Sequence, residues 1–312
     1  MRVLFFGSAA IGFPVLDALQ ASSQDELIGV VTQPDRPGGR KLKPTPCPVK
    51  TLAQERGIPV FSPEKVGAAE SLETLRQLEA DLFVVVAYGQ YIPQSVLALP
   101  PERAINLHPS LLPKYRGSSP IQWALANGDS TTGVTILYVS EKMDAGDIIC
   151  QRTVPIGPED TANSMEPILA KVGAELLMDA VSLIRSGSVS ATPQEEALAT
   201  EIRKLTKEDG RMDWSLPART LNNRIRGFIA WPGCFFEIPS ASGAKRVKVF
   251  RANVEAAQGV PGEILDVSGD GPLVATGEGS LRLLEVQPAG KRTMDGAAYL
   301  RGHSLQPGDQ LG

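Results

Sequence analysis

Two side chains that can donate hydrogen bonds or move protons alternate at the end of a short apolar run. Asn106 and His108 are two residues apart, and Ile105 and Leu107 stand beside them. In an extended strand, residues two apart point to the same side, so the amide and the imidazole are predicted to project together. An amide can stabilise a developing oxyanion, and an imidazole can exchange a proton near neutral pH. The pair is therefore a candidate catalytic site.

The place of this pair in the chain agrees with such a role. Open parallel sheets bind their ligands at the carboxyl ends of strands. The chain has only two histidines, and the other, His303, lies in a glycine-rich, polar tail. His108 is therefore the expected proton acceptor, unless a carboxylate or a lysine takes that role. Polar groups at a strand end can also serve only the backbone of a turn, and the short pattern alone does not separate the two interpretations.

A longer motif favours the catalytic interpretation. The run from Asn106 to Gly117, Asn-Leu-His-Pro-Ser-Leu-Leu-Pro-Lys-Tyr-Arg-Gly, resembles the signature of the folate-dependent formyltransferases. The resemblance implies that Asn106 and His108 lie beside the formyl carbon of a 10-formyltetrahydrofolate donor, and that Asp144 is the third catalytic group. Asp147 is the same residue type three positions further on, and only the resemblance favours Asp144 over it. The folate-binding residues implied in the same way are Ser110, Leu111, Leu112 and Pro113.

Further motifs are similar to the branch of this family that formylates methionyl-tRNA. They lie at residues 32–40, 84–89, 120–123 and 284–291, so the resemblance spans nearly the whole chain. It implies transfer of a formyl group from 10-formyltetrahydrofolate to the amino group of methionine on initiator methionyl-tRNA, in translation initiation. The reaction needs no metal, and the sequence shows no ligand set for one and no evident protein partner.

The order of apolar patterns predicts an α/β fold with a doubly wound, mostly parallel, Rossmann-like sheet. Strands alternating with helices are typical of a parallel sheet that has helices on both faces. The glycines after the first strand, Gly7 and Gly12, lack the spacing of a dinucleotide-binding turn, which argues against a nicotinamide cofactor. The predicted strands are 2–6, 27–32, 82–87, 134–139 and 148–154, and the predicted helices are 11–19, 48–56, 68–78, 120–127 and 161–186.

Composition predicts two domains: a catalytic domain at 1–189 and, after a linker at 190–206, a second domain at 207–312. In the second, a helix precedes five short strands separated by glycine turns, which favours a small OB-like β-barrel. Residues 201–312 hold 15 Lys and Arg against 13 Asp and Glu, whereas residues 1–200 hold 16 against 22. The carboxyl-terminal domain is therefore the better candidate to bind tRNA.

A basic loop rich in proline and glycine lies between Gln33 and Lys50. Such a loop is often only a solvated surface, but long loops in compact domains are commonly functional, and a cationic one can close on phosphates. In enzymes of the resembling branch, the matching loop inserts into the acceptor arm of the tRNA. The expected tRNA-binding residues are therefore Arg36, Arg40, Lys41 and Lys43.

Other functions remain open on the sequence alone. A hydrolase that releases formate from 10-formyltetrahydrofolate, or a formyltransferase for an amino-sugar nucleotide, would share the same catalytic motif. A non-catalytic RNA-binding protein would leave Asn106, His108 and Asp144 unexplained. The basic loop favours a tRNA acceptor, because neither water nor a sugar needs it.

The sequence also gives an expectation for the cellular compartment. No apolar run approaches the roughly 20 residues needed to span a membrane. The three cysteines are widely separated, which fits a reducing environment. A soluble, cytoplasmic protein is therefore expected.

Overall fold

The computed structural model describes residues 1–38, 43–238 and 244–312, and these form two compact units. The first unit comprises residues 1–117, 132–155 and 166–201. The second comprises residues 118–131, 156–165 and 202–312. The first unit thus includes much of the segment expected to be a linker. The limits 1–189, 190–206 and 207–312 remain a prediction from composition.

The first unit is built on a seven-stranded sheet. The strands up to residue 202 are β1 (Arg2–Gly7), β2 (Glu26–Val31), β3 (Arg36–Gly38), β4 (Lys43–Thr45), β5 (Val60–Phe61), β6 (Leu82–Val86), β7 (Ala104–His108), β8 (Arg116–Gly117), β9 (Thr131–Tyr138), β10 (Ile148–Pro155) and β11 (Glu201–Ile202). The sheet has the order β10-β9-β7-β6-β1-β2-β5. Neighbours from β7 to β5 are parallel, and β9 runs antiparallel to β7. The predicted α/β fold with a mostly parallel sheet is confirmed.

Helices connect these strands. They are α1 (Phe13–Ala21), α2 (Pro48–Glu55), α3 (Ala69–Gln77), α4 (Gln94–Leu97), α5 (Pro120–Ala126) and α6 (Ala162–Arg185), with short 3₁₀ helices at Ala10–Gly12, Glu196–Leu198 and Lys207–Gly210. Three of them, α1, α2 and α5, have proline in the first turn, where its missing N–H leaves no helical bond unmade. Among the described helices, none has the combination of length and apolar character that a membrane span requires.

The core of the first unit explains why the strands could be recognised in the sequence. Residues 3–6 of β1 and all of β6 are buried, as expected for strands covered on both faces. The ring of Phe6 lies 4.8 Å from that of Phe83 and 5.5 Å from that of Tyr88. These contacts join β1 to β6 and to the turn that follows β6.

The second unit contains an antiparallel sheet and its own core. Its remaining elements are α7 (Ala218–Gly227), β12 (Cys234–Ile238), β13 (Lys245–Glu255), β14 (Ile264–Asp266), β15 (Leu273–Ala275), β16 (Ser280–Pro288), β17 (Met294–Asp295) and α8 (Gly296–Gly302). The strand order is β12-β13-β16-β15-β14, and β17 pairs with β16. Trp214 packs against Phe236, and Trp123 meets Phe228 edge to face. The antiparallel strands are consistent with the small barrel-like domain predicted for this region.

One buried ion pair joins the end of α6 to the start of β2. The Asp25 side chain is 1% exposed, and its Oδ2 accepts hydrogen bonds from Arg185 at 2.7 Å and from Ser22 at 3.0 Å. Burial by itself raises the pKa of Asp25, but these hydrogen bonds, a further one from the amino terminus of Met1 and the charge of Arg185 outweigh burial and lower the pKa below its usual value. The folded state therefore favours the charged carboxylate.

We expect Asp25→Asn to lower the free energy of unfolding at neutral pH by about 1–3 kcal/mol, because it leaves Arg185 without its charged partner. Since the pKa of Asp25 is lowered on folding, its contribution is complete above the ordinary aspartate pKa of about 3.9 and is lost as the pH falls below that value. Denaturant titrations between neutral and acidic pH measure both effects. The matched control is Glu73→Gln, which removes an exposed pair with Arg76 and should change stability by less than about 0.5 kcal/mol.

Candidate active site

Strand β7 places Asn106 and His108 on one side of the sheet, next to β6 and β9. Asn106 is half-buried and His108 is buried. Leu107, between them, lies against Gly173 of α6, where an added Cβ would meet its side chain. The aliphatic residue thus packs on a helix while the two polar residues face the other way, as the alternation predicts.

A single carboxylate meets both of these side chains. Asp144 lies on the turn between β9 and β10, and its side chain is 14% exposed. Its Oδ2 accepts a hydrogen bond from the Gly117 backbone N–H at 2.8 Å, and its Oδ1 accepts one from Asn106 Nδ2 at 3.4 Å. Asp147, the alternative considered from the sequence, has its backbone carbonyl bonded to the N–H of Tyr138 in β9. The structure therefore brings Asn106, His108 and Asp144 together.

Both ring nitrogens of His108 face acceptor oxygens. Nε2 lies 2.9 Å from the carbonyl oxygen of Tyr115, and Nδ1 lies 3.6 Å from Asp144 Oδ2. A carbonyl oxygen only accepts, so Nε2 donates to it, and a neutral ring then presents an unprotonated Nδ1 to the carboxylate. A protonated ring directs an N–H at each acceptor. This geometry can therefore hold an imidazolium cation between Tyr115 and Asp144.

The two residues that contact His108 have unusual backbone angles. Tyr115 has φ 64° and Asp144 has φ 51°, both in the left-handed region that residues other than glycine seldom adopt. Such conformations cost on the order of 1 kcal/mol or more and persist where the surrounding contacts fix them. Here they direct the Tyr115 carbonyl and the Asp144 carboxylate toward the same imidazole.

The segment expected to bind folate, Ser110 to Pro113, is held by hydrogen bonds to two polar residues, Thr135 of β9 and Gln151 of β10. Ser110 is fully buried, and its hydroxyl donates to the Lys114 carbonyl at 2.7 Å. Thr135 Oγ1 donates to the Ser110 carbonyl and accepts from the Leu112 N–H, while Gln151 Nε2 donates to the Leu112 carbonyl at 2.7 Å. Ser110 and Leu112 are buried, and Leu111 and Pro113 keep part of their surface exposed.

A cavity of about 230 Å³ opens beside Asn106 and Asp144. Two of its lining residues, Tyr91 and Met143, are exposed for 68% and 67% of their surface. The residues that line it are Val85, Gln90, Tyr91, Ile92, Asn106, Leu137, Tyr138, Val139, Ser140, Glu141, Met143 and Asp144. The sequence analysis does not identify residues 90–92 as site candidates. They follow the carboxyl end of β6, where ligands of open parallel sheets bind, and this position is the signal that could identify them.

The basic loop is described at its two ends. Arg36–Gly38 and Lys43–Thr45 pair as an antiparallel hairpin. Arg36 forms an exposed ion pair with Glu64 at 3.6 Å, and Lys43 is exposed. Arg40 and Lys41 lie outside the described residues, so their expected tRNA contacts stay predictions from sequence.

Side chains that could ligate a metal are spread over the chain. Within residues 1–38, 43–238 and 244–312, the His, Cys, Asp and Glu side chains do not form a group of three or more that could hold a metal ion. The polar groups around His108 are instead bonded to one another and to the backbone.

Comparison with known proteins finds matches over both parts of the chain. The sequence model of the formyl transferase family matches residues 1–181, and that of the formyl transferase C-terminal domain matches residues 204–304. A methionyl-tRNA formyltransferase from Geobacter sulfurreducens is 41% identical over 312 residues, which cover 100% of this chain and 97% of the relative. Another from a Synechococcus species is 43% identical over 319 residues, covering 99% of this chain and 97% of the relative.

Solved structures share the fold at lower identity. HypX from Aquifex aeolicus, in complex with tetrahydrofolic acid, has a TM-score of 0.62 at 22% identity and covers 96% of this chain and 47% of its own. WlaRD, a sugar 3N-formyl transferase, has a TM-score of 0.67 at 16% identity and covers 94% of this chain and 99% of its own. At these identities the likeness concerns the fold alone.

Proposed function

This chain belongs to the formyl transferase family and, within it, to the methionyl-tRNA formyltransferases, and from this premise we propose that it formylates initiator methionyl-tRNA. The formyl donor is 10-formyltetrahydrofolate, and the acceptor is the amino group of methionine on the tRNA. The product serves translation initiation. The observation that carries the proposal at the level of chemistry is the meeting of Asn106, His108 and Asp144, of which Asn106 and Asp144 line one cavity.

The reaction passes through a tetrahedral intermediate. The methionine nitrogen attacks the formyl carbon, a C–N bond forms, and the carbonyl oxygen becomes negative. The folate nitrogen then leaves with a proton, and the amine loses one, so charge balances over the whole step. Asn106 Nδ2 is the donor we assign to the oxyanion, since Asn106 lines the cavity and its amide is already oriented by Asp144. A preorganised donor of this kind lowers a barrier by roughly 3 kcal/mol.

We assign proton movement to His108 and Asp144. With Nε2 directed at the Tyr115 carbonyl, the ring proton that can be exchanged is the one on Nδ1, on the side of Asp144. His108 Nδ1 accepts the proton of the attacking amine and then donates it to the leaving folate nitrogen. Asp144 stabilises the imidazolium that forms and keeps the ring oriented.

The cavity is the proposed position of the pterin ring of the folate, which is one methylene group away from the nitrogen that carries the formyl group. Aliphatic side chains such as Val85, Ile92 and Leu137 line it, and they suit a flat heteroaromatic ring. For the segment from Ser110 to Pro113, we propose direct folate contact by Leu111 and Pro113, which retain exposed surface. Its buried residues shape the wall behind them.

The tRNA is proposed to contact the basic loop with Arg36, Arg40, Lys41 and Lys43, and the second unit. A groove of about 580 Å³ within that unit is lined by three glutamates, Glu159, Glu255 and Glu285, as well as by the exposed side chains of Arg219 and Arg251. Arginine and lysine side chains bind phosphates without reading sequence.

The alternatives receive less support. A hydrolase or an amino-sugar formyltransferase would use the same three side chains, but the full-length relatives at 41% and 43% identity are methionyl-tRNA formyltransferases, whereas the sugar enzyme shares 16%. A non-catalytic RNA-binding role does not account for the match to the formyl transferase family over residues 1–181.

The purified protein, given 10-formyltetrahydrofolate labelled in the formyl group, should transfer the label to methionyl-tRNA. Formate released at the same rate with and without tRNA would identify a hydrolase instead. Label found on an amino-sugar nucleotide would identify a sugar formyltransferase. Retention of tRNA with no turnover at all would favour the RNA-binding alternative.

Asn106→Ala and His108→Ala should each lower kcat by about a hundredfold or more, because each removes a group that acts mainly on the transition state. Circular dichroism should show that both variants remain folded. Asp144→Asn should cause a comparable loss. The matched control is Asp147→Asn, and if it were the more damaging of the two substitutions, Asp144 would be the wrong carboxylate.

Replacing Arg40, Lys41 and Lys43 together with alanine should raise KM for tRNA, or lower turnover with it, while leaving binding of the folate donor unchanged. For each cation that pairs with a phosphate, its removal should also reduce the salt slope of tRNA binding by about one. The control removes exposed cations elsewhere, in Arg76→Ala and Lys171→Ala. Equal formylation by the triple variant and the wild type across a salt series would show that the loop is only a solvated surface.

A further inference from the structure

A glutamine from the segment expected to be a linker bonds directly to the backbone of the turn between β9 and β10, which carries Asp144. Gln194 Nε2 donates to the carbonyl oxygens of Asp144 and Gly146, both at 2.8 Å. The side chain thereby satisfies acceptors on both sides of Ala145. Its other end, Oε1, accepts from Arg116 Nε at 3.0 Å and Nη2 at 2.8 Å. One amide therefore links the turn to Arg116.

Arg116 is well suited to orient this amide. It is among the largest fully buried side chains in the described part of the chain, and its guanidinium also binds Glu196 through Nη1 at 3.0 Å. Because a guanidinium only donates, the oxygen of Gln194 must face Arg116 and its nitrogen must face the turn. Hydrogen bonds from Lys142 and Arg116 lower the pKa of Glu196, so this carboxylate stays charged in the network. Lys142 itself lies two residues before Asp144.

The same segment also bonds to Tyr115, the other residue that contacts His108. Thr200 Oγ1 accepts the N–H of Tyr115 at 2.8 Å, and the Thr200 carbonyl accepts the N–H of Arg116 at 2.8 Å. Tyr115 is the residue whose carbonyl faces His108 Nε2. Residues 194–200 thus contact the chain on both sides of the imidazole.

The turn needs such support because its backbone is strained. Asp144 has φ 51°, a conformation that is unfavourable for an aspartate unless other contacts select it. Two residues on, Gly146 lies so close to the Tyr138 carbonyl that a Cβ could not be accommodated. A rotation of this turn by a few degrees would move the Asp144 carboxylate away from His108, where the gap is already 3.6 Å.

We propose that Gln194 is a positioning residue for the reaction, acting through Asp144. Oriented by Arg116, it fixes the backbone of the turn so that the carboxylate stays beside His108. The inference rests on the proposed function, because it assigns Gln194 an effect on turnover.

Gln194→Glu tests this role. The substitution keeps the size of the side chain and an acceptor for Arg116, but it replaces both donors to the turn with an oxygen that the carbonyls repel. We expect kcat for formylation to fall by about tenfold or more, with KM for each substrate within about twofold of wild type. The thermal unfolding temperature should stay close to that of the wild type, since the pair with Arg116 gains charge. The neighbouring control is Glu195→Ala, an exposed position, and it should leave kcat unchanged.

A role limited to holding residues 194–200 in place predicts a different result for kcat. Gln194→Glu would then keep both stability and kcat, and this outcome would overturn the proposal. Should the glutamate variant not fold, Gln194→Met is the second test: it removes both donors to the turn without adding charge, and it also removes the acceptor for Arg116. Full kcat in a folded methionine variant would overturn the proposal equally.

A double-mutant cycle separates this inference from the proposed function. In the Asp144→Asn background, Gln194→Glu should cause little further loss of kcat, because a residue that acts through Asp144 has nothing left to position. Additive losses would overturn the proposal. If Asp144→Asn alone keeps full kcat, the assignment of Asp144 itself is wrong. If it loses kcat while Gln194→Glu does not, only the role of Gln194 fails.

Discussion

The carboxylate of Asp144 is the group on which the candidate site depends. It receives the Asn106 amide and the edge of His108 from β7, and the Gly117 N–H from β8. At 14% exposure, a charged group needs such partners, because water no longer solvates it fully. The requirement works in both directions, since the carboxylate also orients the amide and the imidazole. In the sheet, β7 is paired directly with β9, and the turn that carries Asp144 follows β9. This pairing brings the carboxylate next to Asn106 and His108.

Much of the fold could be predicted because buried parallel strands leave a strong pattern in the sequence. The apolar runs of β1 and β6 are almost entirely buried, so their limits agree with the predicted strands to within a residue or two. Asn106 and His108 could be predicted to lie on the same side of β7, because side chains two residues apart in any strand point to the same face. By contrast, β17 escaped prediction, since Met294–Asp295 is too short to show a repeat.

Contacts that depend on the tertiary fold could not be predicted. Thr135 and Gln151 fix the segment after His108, but each lies in a strand whose sequence gives no sign of that partner. The segment with Gln194 has the composition of a linker because its polar side chains bond to the turn and to Arg116, where a core would use apolar ones. A polar, proline-containing stretch is therefore compatible either with a free connection or with a wall of the site, and only geometry separates the two.

The chemistry proposed for the site accounts for the difference between its well-bonded turn and its exposed rim. Groups that must meet a transition state need fixed positions, and the turn with Asp144 is held by hydrogen bonds at the backbone of two of its residues and by the bond of its carboxylate to Gly117. The rim of the cavity is different, because Tyr91 and Met143 are mostly exposed and have freedom to adapt. Binding of a flat ring needs contact area on its two faces, and flexible or aromatic side chains supply that area. A strained, well-bonded turn beside an adaptable rim is thus the arrangement expected where one group is positioned for chemistry and the other surface only has to admit a substrate.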